Sequence, residues 1–96
     1  MDLGIAGKAV LVTAGSEGLG LACAERFARE GCRIAIAARR AMALRNAQSV
    51  LREAGAVEVV TLEADLAVPE QADALVGRAT ERLGALDILV VNSGHV

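Results

Sequence analysis

The chain has 96 residues, enough for one small domain, and 54% of them are hydrophobic, which favours a packed interior over disorder. A formal net charge of −2 and a single aromatic residue, Phe27, argue against a nucleic-acid partner. The sequence contains neither an apolar run of roughly 20 residues nor a secretory pattern, so we expect a cytoplasmic protein with no membrane partner.

Four short apolar runs alternate with three helical patterns. Strands are predicted at residues 8–13, 33–38, 57–62 and 87–91, and helices at about 18–30, at 41–54 and from Pro69 to a stop at Gly84. Proline suits the first turn of the third helix, because its missing N–H has no helical partner there. The predicted buried stripes are Leu19, Cys23, Ala24, Phe27 and Ala28 in the first helix, Leu44, Ala47, Leu51 and Ala54 in the second, and Ala72, Leu75, Val76, Ala79 and Leu83 in the third.

This alternation predicts the fold class. Strands separated by helices of this length pair in parallel, and right-handed crossovers place the first two helices on one face and the third on the other. The favoured strand order is 3-2-1-4, a Rossmann-type doubly wound α/β sheet that stops after its fourth strand. We therefore expect residues 1–96 to form a partial dinucleotide-binding domain, with its crevice between the loops that follow the first and fourth strands.

The first of these loops is rich in glycine. It reads TAGSEGLG and joins the first strand to the first helix. A residue without Cβ lets a ligand approach the backbone, and the free N–H groups of the helix N-terminus favour phosphate. A tight connection without any ligand is the alternative, and Ser16 can serve as a phosphate ligand or as a helix cap. The cofactor-binding residues predicted here are Gly15, Ser16, Glu17, Gly18, Leu19 and Gly20.

Two arginines follow the second strand, where a dinucleotide-binding fold meets the adenosine ribose. A carboxylate there would select NAD, whereas the guanidinium groups of Arg39 and Arg40 suit the 2′-phosphate of NADP. Glu17 opposes a phosphate by about 1 kcal/mol. A charge-assisted hydrogen bond from Arg39 contributes roughly 1.5–3 kcal/mol. The sequence therefore favours NADP over NAD, the alternative being that both arginines are solvated charges at a strand end.

Further segments resemble the short-chain dehydrogenase/reductase family. The glycine turn is similar to the family pattern T-G-x-x-x-G-[IL]-G, with Ala14 at the usual first glycine. The segment LDILVVNSG, from Leu86 to Gly94, is similar to L-D-x-L-V-N-N-A-G, with Val91 and Ser93 as substitutions typical of a divergent branch. The pair Asp65-Leu66 resembles the family's Asp-[VL], whose acid contacts adenine, or else starts a helix. The resemblance adds Asp65, Leu66, Asn92, Ser93 and Gly94 to the predicted cofactor site.

The family's catalytic residues, a serine and a Tyr-x-x-x-Lys pair, lie beyond the Asn-Asn-Ala-Gly segment. The sequence contains no tyrosine and one lysine, Lys8, so we predict no catalytic residue in this chain. The resemblance implies the NADP-binding N-terminal part of a longer oxidoreductase, which transfers hydride between nicotinamide and a carbonyl or alcohol of a small-molecule substrate. A non-catalytic nucleotide-binding or interaction module is the alternative, and a homo-oligomer is compatible with either.

The two cysteines, Cys23 and Cys32, have no metal-like spacing and no histidine near them in sequence. We therefore predict free thiols and no metal site.

Overall fold

The computed structural model describes residues 4–14 and 16–92. Strands β1 (Ala9–Thr13), β2 (Arg33–Ala38), β3 (Glu58–Glu63) and β4 (Ile88–Val90) alternate with helices α1 (Gly18–Arg29), α2 (Ala41–Ala54) and α3 (Pro69–Leu83). Every predicted element is present, and the predicted ends differ from these by about one residue. Within the two described ranges, none of the helices combines the length and the hydropathy of a transmembrane span.

The strands form one sheet in the order β3-β2-β1-β4, which confirms the predicted topology. All pairs are parallel, and Val12 of β1 lies opposite Ile36 of β2 on one side and Val90 of β4 on the other. All five residues of β1 are buried. A strand covered on both faces has a nearly continuous apolar sequence, which explains the apolar run from Ala9 to Val12 that identified β1.

Helices cover the two faces of the sheet as predicted, with α1 and α2 on one side and α3 on the other. Alternate residues of a strand point to opposite faces. Val10 therefore joins the core beneath α1 and α2, whereas its neighbour Leu11 joins the core beneath α3. The buried helix residues are Gly20, Ala24 and Ala28 in α1, Leu44, Ala47 and Leu51 in α2, and Leu75, Ala79 and Leu83 in α3.

Two predicted core residues are wrong. Leu19 is 81% exposed and Val76 is 43% exposed. In α1 the buried row passes through Gly20 and not Leu19, because small residues on that row let the helix backbone come close to the sheet. In α3, Val76 borders a groove beside β4 and is not covered by any described element.

Candidate functional site

The loops after β1 and β4 meet at the carboxyl end of the sheet, as the strand order requires. Thr13, the last residue of β1, is buried, and its hydroxyl accepts a hydrogen bond from the backbone N–H of Asn92 at 2.8 Å. The same hydroxyl lies 3.2 Å from the carbonyl oxygen of Asn92 and 3.4 Å from that of Val90. Thr13 thus fixes the chain after β4 to the end of β1.

Thr13 is a residue whose role the sequence analysis missed. Its position at the end of a buried apolar strand could have indicated that role, because a buried hydroxyl requires a hydrogen-bond partner. The sequence could not indicate which partner, since Asn92 is 79 residues away.

Gly20 brings α1 against both loops. A Cβ at this position would lie 2.1 Å from the carbonyl oxygen of Ala14 and 2.8 Å from Nδ2 of Asn92. Only glycine fits such an approach, because one of the two atoms belongs to the backbone. The structure therefore brings together two predicted site residues, Gly20 in α1 and Asn92 after β4.

Backbone conformation sets the shape of the glycine turn. Gly18 has φ +55°, and a Cβ there would meet no atom within 4 Å, so this position requires glycine for its dihedral angles alone. Ala14 also has a left-handed φ of +53° although it carries a Cβ. It occupies the place at which the family pattern has its first glycine, so the turn keeps its path with a less suitable residue.

The N-terminus of α1 faces this turn. Its N-cap residue is Glu17, and no side-chain hydrogen bond among the described residues caps the helix. The predicted alternative of Ser16 as a helix cap is therefore wrong, because the cap position falls one residue later. The first N–H groups of a helix have no partner within it, so those of Gly18, Leu19 and Gly20 suit an anion. Gly15 lies outside the described residues.

The loop after β2 carries an ion pair that was not predicted from the sequence. The guanidinium of Arg40 hydrogen-bonds Oε1 of the Glu17 carboxylate, which joins the N-cap of α1 to the N-cap of α2. Both side chains remain largely exposed, at 73% for Arg40 and 59% for Glu17. The carboxylate expected to oppose a phosphate is thus partly neutralised by a neighbouring arginine.

Arg39 differs from Arg40. Its guanidinium has no ion pair or hydrogen bond in the described part of the chain, and it borders a groove of about 290 Å³ with Glu63, Asp65 and Gln71. Arg39 and Asp65 come from the ends of neighbouring strands, so the parallel sheet brings these two predicted residues to one groove. The groove is open to solvent, and four of its five lining residues have charged or amide side chains.

Asp65 shapes the chain between β3 and α3. Its Oδ1 accepts a hydrogen bond from the N–H of Ala67 at 3.0 Å, and its own N–H donates to Oε1 of Gln71 at 2.6 Å. The next residue, Leu66, borders a different groove, an apolar one of about 330 Å³, together with Thr13 and Asn92. Asp65 and Leu66 therefore face two different parts of the site. The remaining predicted residues, Ser93 and Gly94, lie outside the described residues.

A parallel 3-2-1-4 sheet with a glycine turn at its switch point is the architecture of dinucleotide-binding α/β proteins. The chain belongs to the short chain dehydrogenase family, whose family model matches residues 8–96. This finding confirms the resemblance that the sequence motifs indicated.

Individual relatives agree with this membership. The L-sorbose reductase of Gluconobacter frateurii, whose crystal structure contains NADPH and L-sorbose, is 43% identical, with a TM-score of 0.90 over 99% of this chain and 36% of that protein. A hydroxysteroid 11-beta-dehydrogenase 1-like protein of Danio rerio is 45% identical over 86 residues, 90% of this chain and 30% of that protein. The glycine betaine reductase ATRR of Emericella nidulans is 43% identical over 90 residues, 94% of this chain and 7% of the reductase. The chain thus spans about a third of the first relative and less of the other two.

Proposed function

We propose that this chain binds NADP and forms the cofactor-binding part of an oxidoreductase that transfers hydride between nicotinamide and a carbonyl or alcohol. One observation carries the cofactor choice. The end of β2 presents two arginines and no carboxylate, next to a helix N-terminus that no described side chain caps. A 2′-phosphate and a pyrophosphate are the two anionic groups of NADP that such a pair of features suits.

Most of the predicted site residues have a role in this proposal. The N–H groups of Gly18, Leu19 and Gly20 bind the pyrophosphate, with Gly15 and Ser16 completing the turn. Arg39 binds the 2′-phosphate, and the Asp65-Leu66 pair contacts the adenine. Asn92, Ser93 and Gly94 also contact the cofactor in this proposal, as the family resemblance implies.

Catalysis needs residues other than these. The 96 residues contain no tyrosine, so a Tyr-x-x-x-Lys pair is absent from them. We propose that the chain supplies the cofactor site and that a further segment supplies the proton transfer and the small-molecule substrate site. The L-sorbose reductase supports NADP as the cofactor, because it resembles this chain throughout the proposed binding region and was crystallised with NADPH.

We further propose a cytoplasmic protein that binds neither nucleic acid nor membranes. The net charge of −2 and the two cysteines, both free thiols, support this proposal. Self-association into a homo-oligomer is compatible with it.

Titration with reduced nucleotides tests the proposed function. We expect NADPH to bind the purified chain more tightly than NADH, as measured by nucleotide fluorescence. Arg39→Ala should weaken NADPH binding by about tenfold or more, because a hydrogen bond to a charged group is lost, and should leave NADH binding nearly unchanged. Arg45→Ala is the matched control, since Arg45 is an exposed arginine on α2 outside the site.

Two results contradict the proposal. Absence of binding for both nucleotides at millimolar concentration removes the cofactor role and leaves the non-catalytic interaction module. Tighter binding of NADH than of NADPH overturns the choice of NADP.

A further inference from the structure

The two arginines after β2 are in different electrostatic states. Arg40 is paired with Glu17, whereas the guanidinium of Arg39 has no anionic partner among the described residues. The charges of Glu17 and Arg40 cancel locally, so Arg39 is the one of these two arginines without an ion pair among the described residues, and it borders a groove together with Glu63 and Asp65. The sequence alone suggests two available cations at this place.

We propose that the Glu17–Arg40 ion pair limits the preference of this chain for NADP by withholding Arg40 from the 2′-phosphate. Arg39 then recognises the phosphate, and Glu17 is the residue that determines how strongly NADP is preferred over NAD. This inference rests on the proposed function, because it concerns the same cofactor site.

The position of Glu17 explains why it remains close to Arg40. Glu17 is the N-cap of α1, and a negative charge is favoured at the positive end of a helix dipole. Arg40 is the N-cap of α2 and follows directly after Arg39 at the end of β2. The ion pair therefore spans from the turn proposed to hold the pyrophosphate to the loop proposed to hold the ribose. A 2′-phosphate bound at Arg39 lies beside the ion pair and competes with Glu17 for Arg40.

The ion pair is exposed, which makes its removal a clean experiment. Exposed ion pairs contribute little to folding stability, so neutral substitutions change the local charge and leave the fold intact. Glu17→Gln removes the negative charge and releases Arg40. Arg40→Gln removes the positive charge and leaves Glu17 unpaired. The double variant removes both charges and restores the balance found in the wild type.

Measuring the affinity of the four proteins for NADPH and NADH tests the proposal. We expect Glu17→Gln to tighten NADPH binding by about three- to tenfold and Arg40→Gln to weaken it by a similar factor. The double variant should bind NADPH within about twofold of the wild type. NADH has a hydroxyl in place of the 2′-phosphate, so the affinity of each of the three variants for NADH should stay within about twofold of the wild-type affinity. The mononucleotides should show the same contrast: the substitutions should change the affinity for 2′-AMP as they change that for NADPH, and should leave the affinity for 5′-AMP nearly unchanged.

A matched control is available on the same helix. Glu25 forms an exposed ion pair with Arg29, at 3.0 Å, away from the turn. Glu25→Gln removes a comparable ion pair and should leave the affinity for NADPH unchanged. Raising the salt concentration should reduce the differences between the Glu17 and Arg40 variants, because these charges are exposed.

Three outcomes overturn the inference while the proposed function stands. If the double variant binds NADPH as weakly as Arg40→Gln, Arg40 is itself a phosphate ligand. If Glu17→Gln binds NADPH with wild-type affinity, the ion pair does not restrict Arg40. If Glu17→Gln increases the affinity for NADH as much as the affinity for NADPH, the charge of Glu17 acts on the pyrophosphate and not on the 2′-phosphate. A wild-type chain that binds neither nucleotide overturns the proposed function, and this inference with it.

Discussion

Single residues of the glycine turn have distinct physical requirements. Gly20 has no room for a side chain, because the carbonyl oxygen of Ala14 and the side-chain nitrogen of Asn92 lie where a Cβ would be. Gly18 needs a left-handed backbone and has open space around it. Ala14 adopts a left-handed backbone without being glycine. These three requirements predict different effects of substitution.

Gly20→Ala should destabilise the protein by about 2–3 kcal/mol, because the added methyl group forces α1 away from the Ala14 carbonyl. Urea unfolding measures the effect. Gly77→Ala in α3 is the control, since Gly77 has open space around it. Alanine there should stabilise the helix by about 1 kcal/mol, through higher helix propensity. Similar losses for both variants would contradict a steric role for Gly20.

Ala14→Gly should increase stability by about 0.5–1 kcal/mol. Relief of the left-handed backbone gains about 1–2 kcal/mol, and the greater freedom of glycine in the unfolded chain offsets roughly 0.5–1 kcal/mol of this. A higher urea midpoint at an unchanged m-value is the expected observation. Ala22→Gly, at an exposed position within α1, should instead lower the midpoint, since glycine disfavours helix. A lower midpoint for Ala14→Gly would show that the turn does not strain Ala14.

At the scale of secondary-structure elements, the pairing of β4 with β1 depends on hydrogen bonds at the ends of β4. β4 has three residues and pairs only with β1 among the described strands. Hydrogen bonds from the residues that flank β4 therefore help to hold it against β1. Before β4, Asp87 exchanges two bonds with Ala9, accepting through Oδ2 and donating through its N–H, each at 2.9 Å. After β4, the Thr13 hydroxyl binds the backbone of Asn92.

Thr13→Val should destabilise the protein by about 1–2 kcal/mol, because the partly buried N–H of Asn92 loses its acceptor while the side-chain shape is kept. Thr61→Val on β3 is the control, since the Thr61 hydroxyl has no hydrogen bond within the described residues and valine suits a strand. Hydrogen exchange at the amide of Asn92 provides a local measurement. Unchanged protection of that amide in Thr13→Val would show that the hydroxyl does not hold β4.

Cys32, at the junction of α1 and β2, should make the folding stability depend on pH. Burial raises the pKa of the Cys32 thiol, and the Glu30 carboxylate adds a smaller effect in the same direction. The thiol therefore ionises more readily in the unfolded chain. Its contribution to stability is complete below the ordinary pKa of 9.0 and is lost as the pH rises from there through the folded pKa.

We expect wild-type stability to fall above about pH 9 more steeply than that of Cys32→Ala, by at most about 1.4 kcal/mol per pH unit. Urea unfolding of both proteins at pH 7 and pH 10 measures the difference. Other titrating groups cancel in this comparison, because the two proteins share them. Equal pH dependence would show that Cys32 is not desolvated by folding.

At the scale of the whole molecule, the proposed cofactor site exists only when the sheet is assembled. Its parts follow four different strands, so the unfolded chain does not contain the site. A ligand that binds only the folded state stabilises it through mass action. Binding and stability are therefore linked in this protein.

NADPH at about 100 times its dissociation constant should raise the free energy of unfolding by about 2.7 kcal/mol. For a domain of this size, the expected increase in Tm is about 10–20 °C. NADH at the same concentration should have a smaller effect, because it lacks the 2′-phosphate. Scanning calorimetry or thermal circular dichroism measures both. An NADPH fluorescence signal without any rise in Tm would indicate binding that does not depend on the folded site.

The amino-acid sequence by itself determined the order of the elements, their approximate ends and the strand order. These follow from local properties: apolar runs, helical spacing, glycines at helix ends and the handedness of crossovers. It also located the arginines after β2 and the glycine turn, because both are contiguous in the chain.

Tertiary structure alone decided which side chains meet. The rotation of α1 places Gly20 inward and leaves Leu19 exposed, a difference of one residue that helical spacing does not resolve. Glu17 and Arg40 are 23 residues apart, and Thr13 and Asn92 are 79 residues apart. Such contacts depend on how packed helices and strands are positioned in space, which no local pattern of residues specifies.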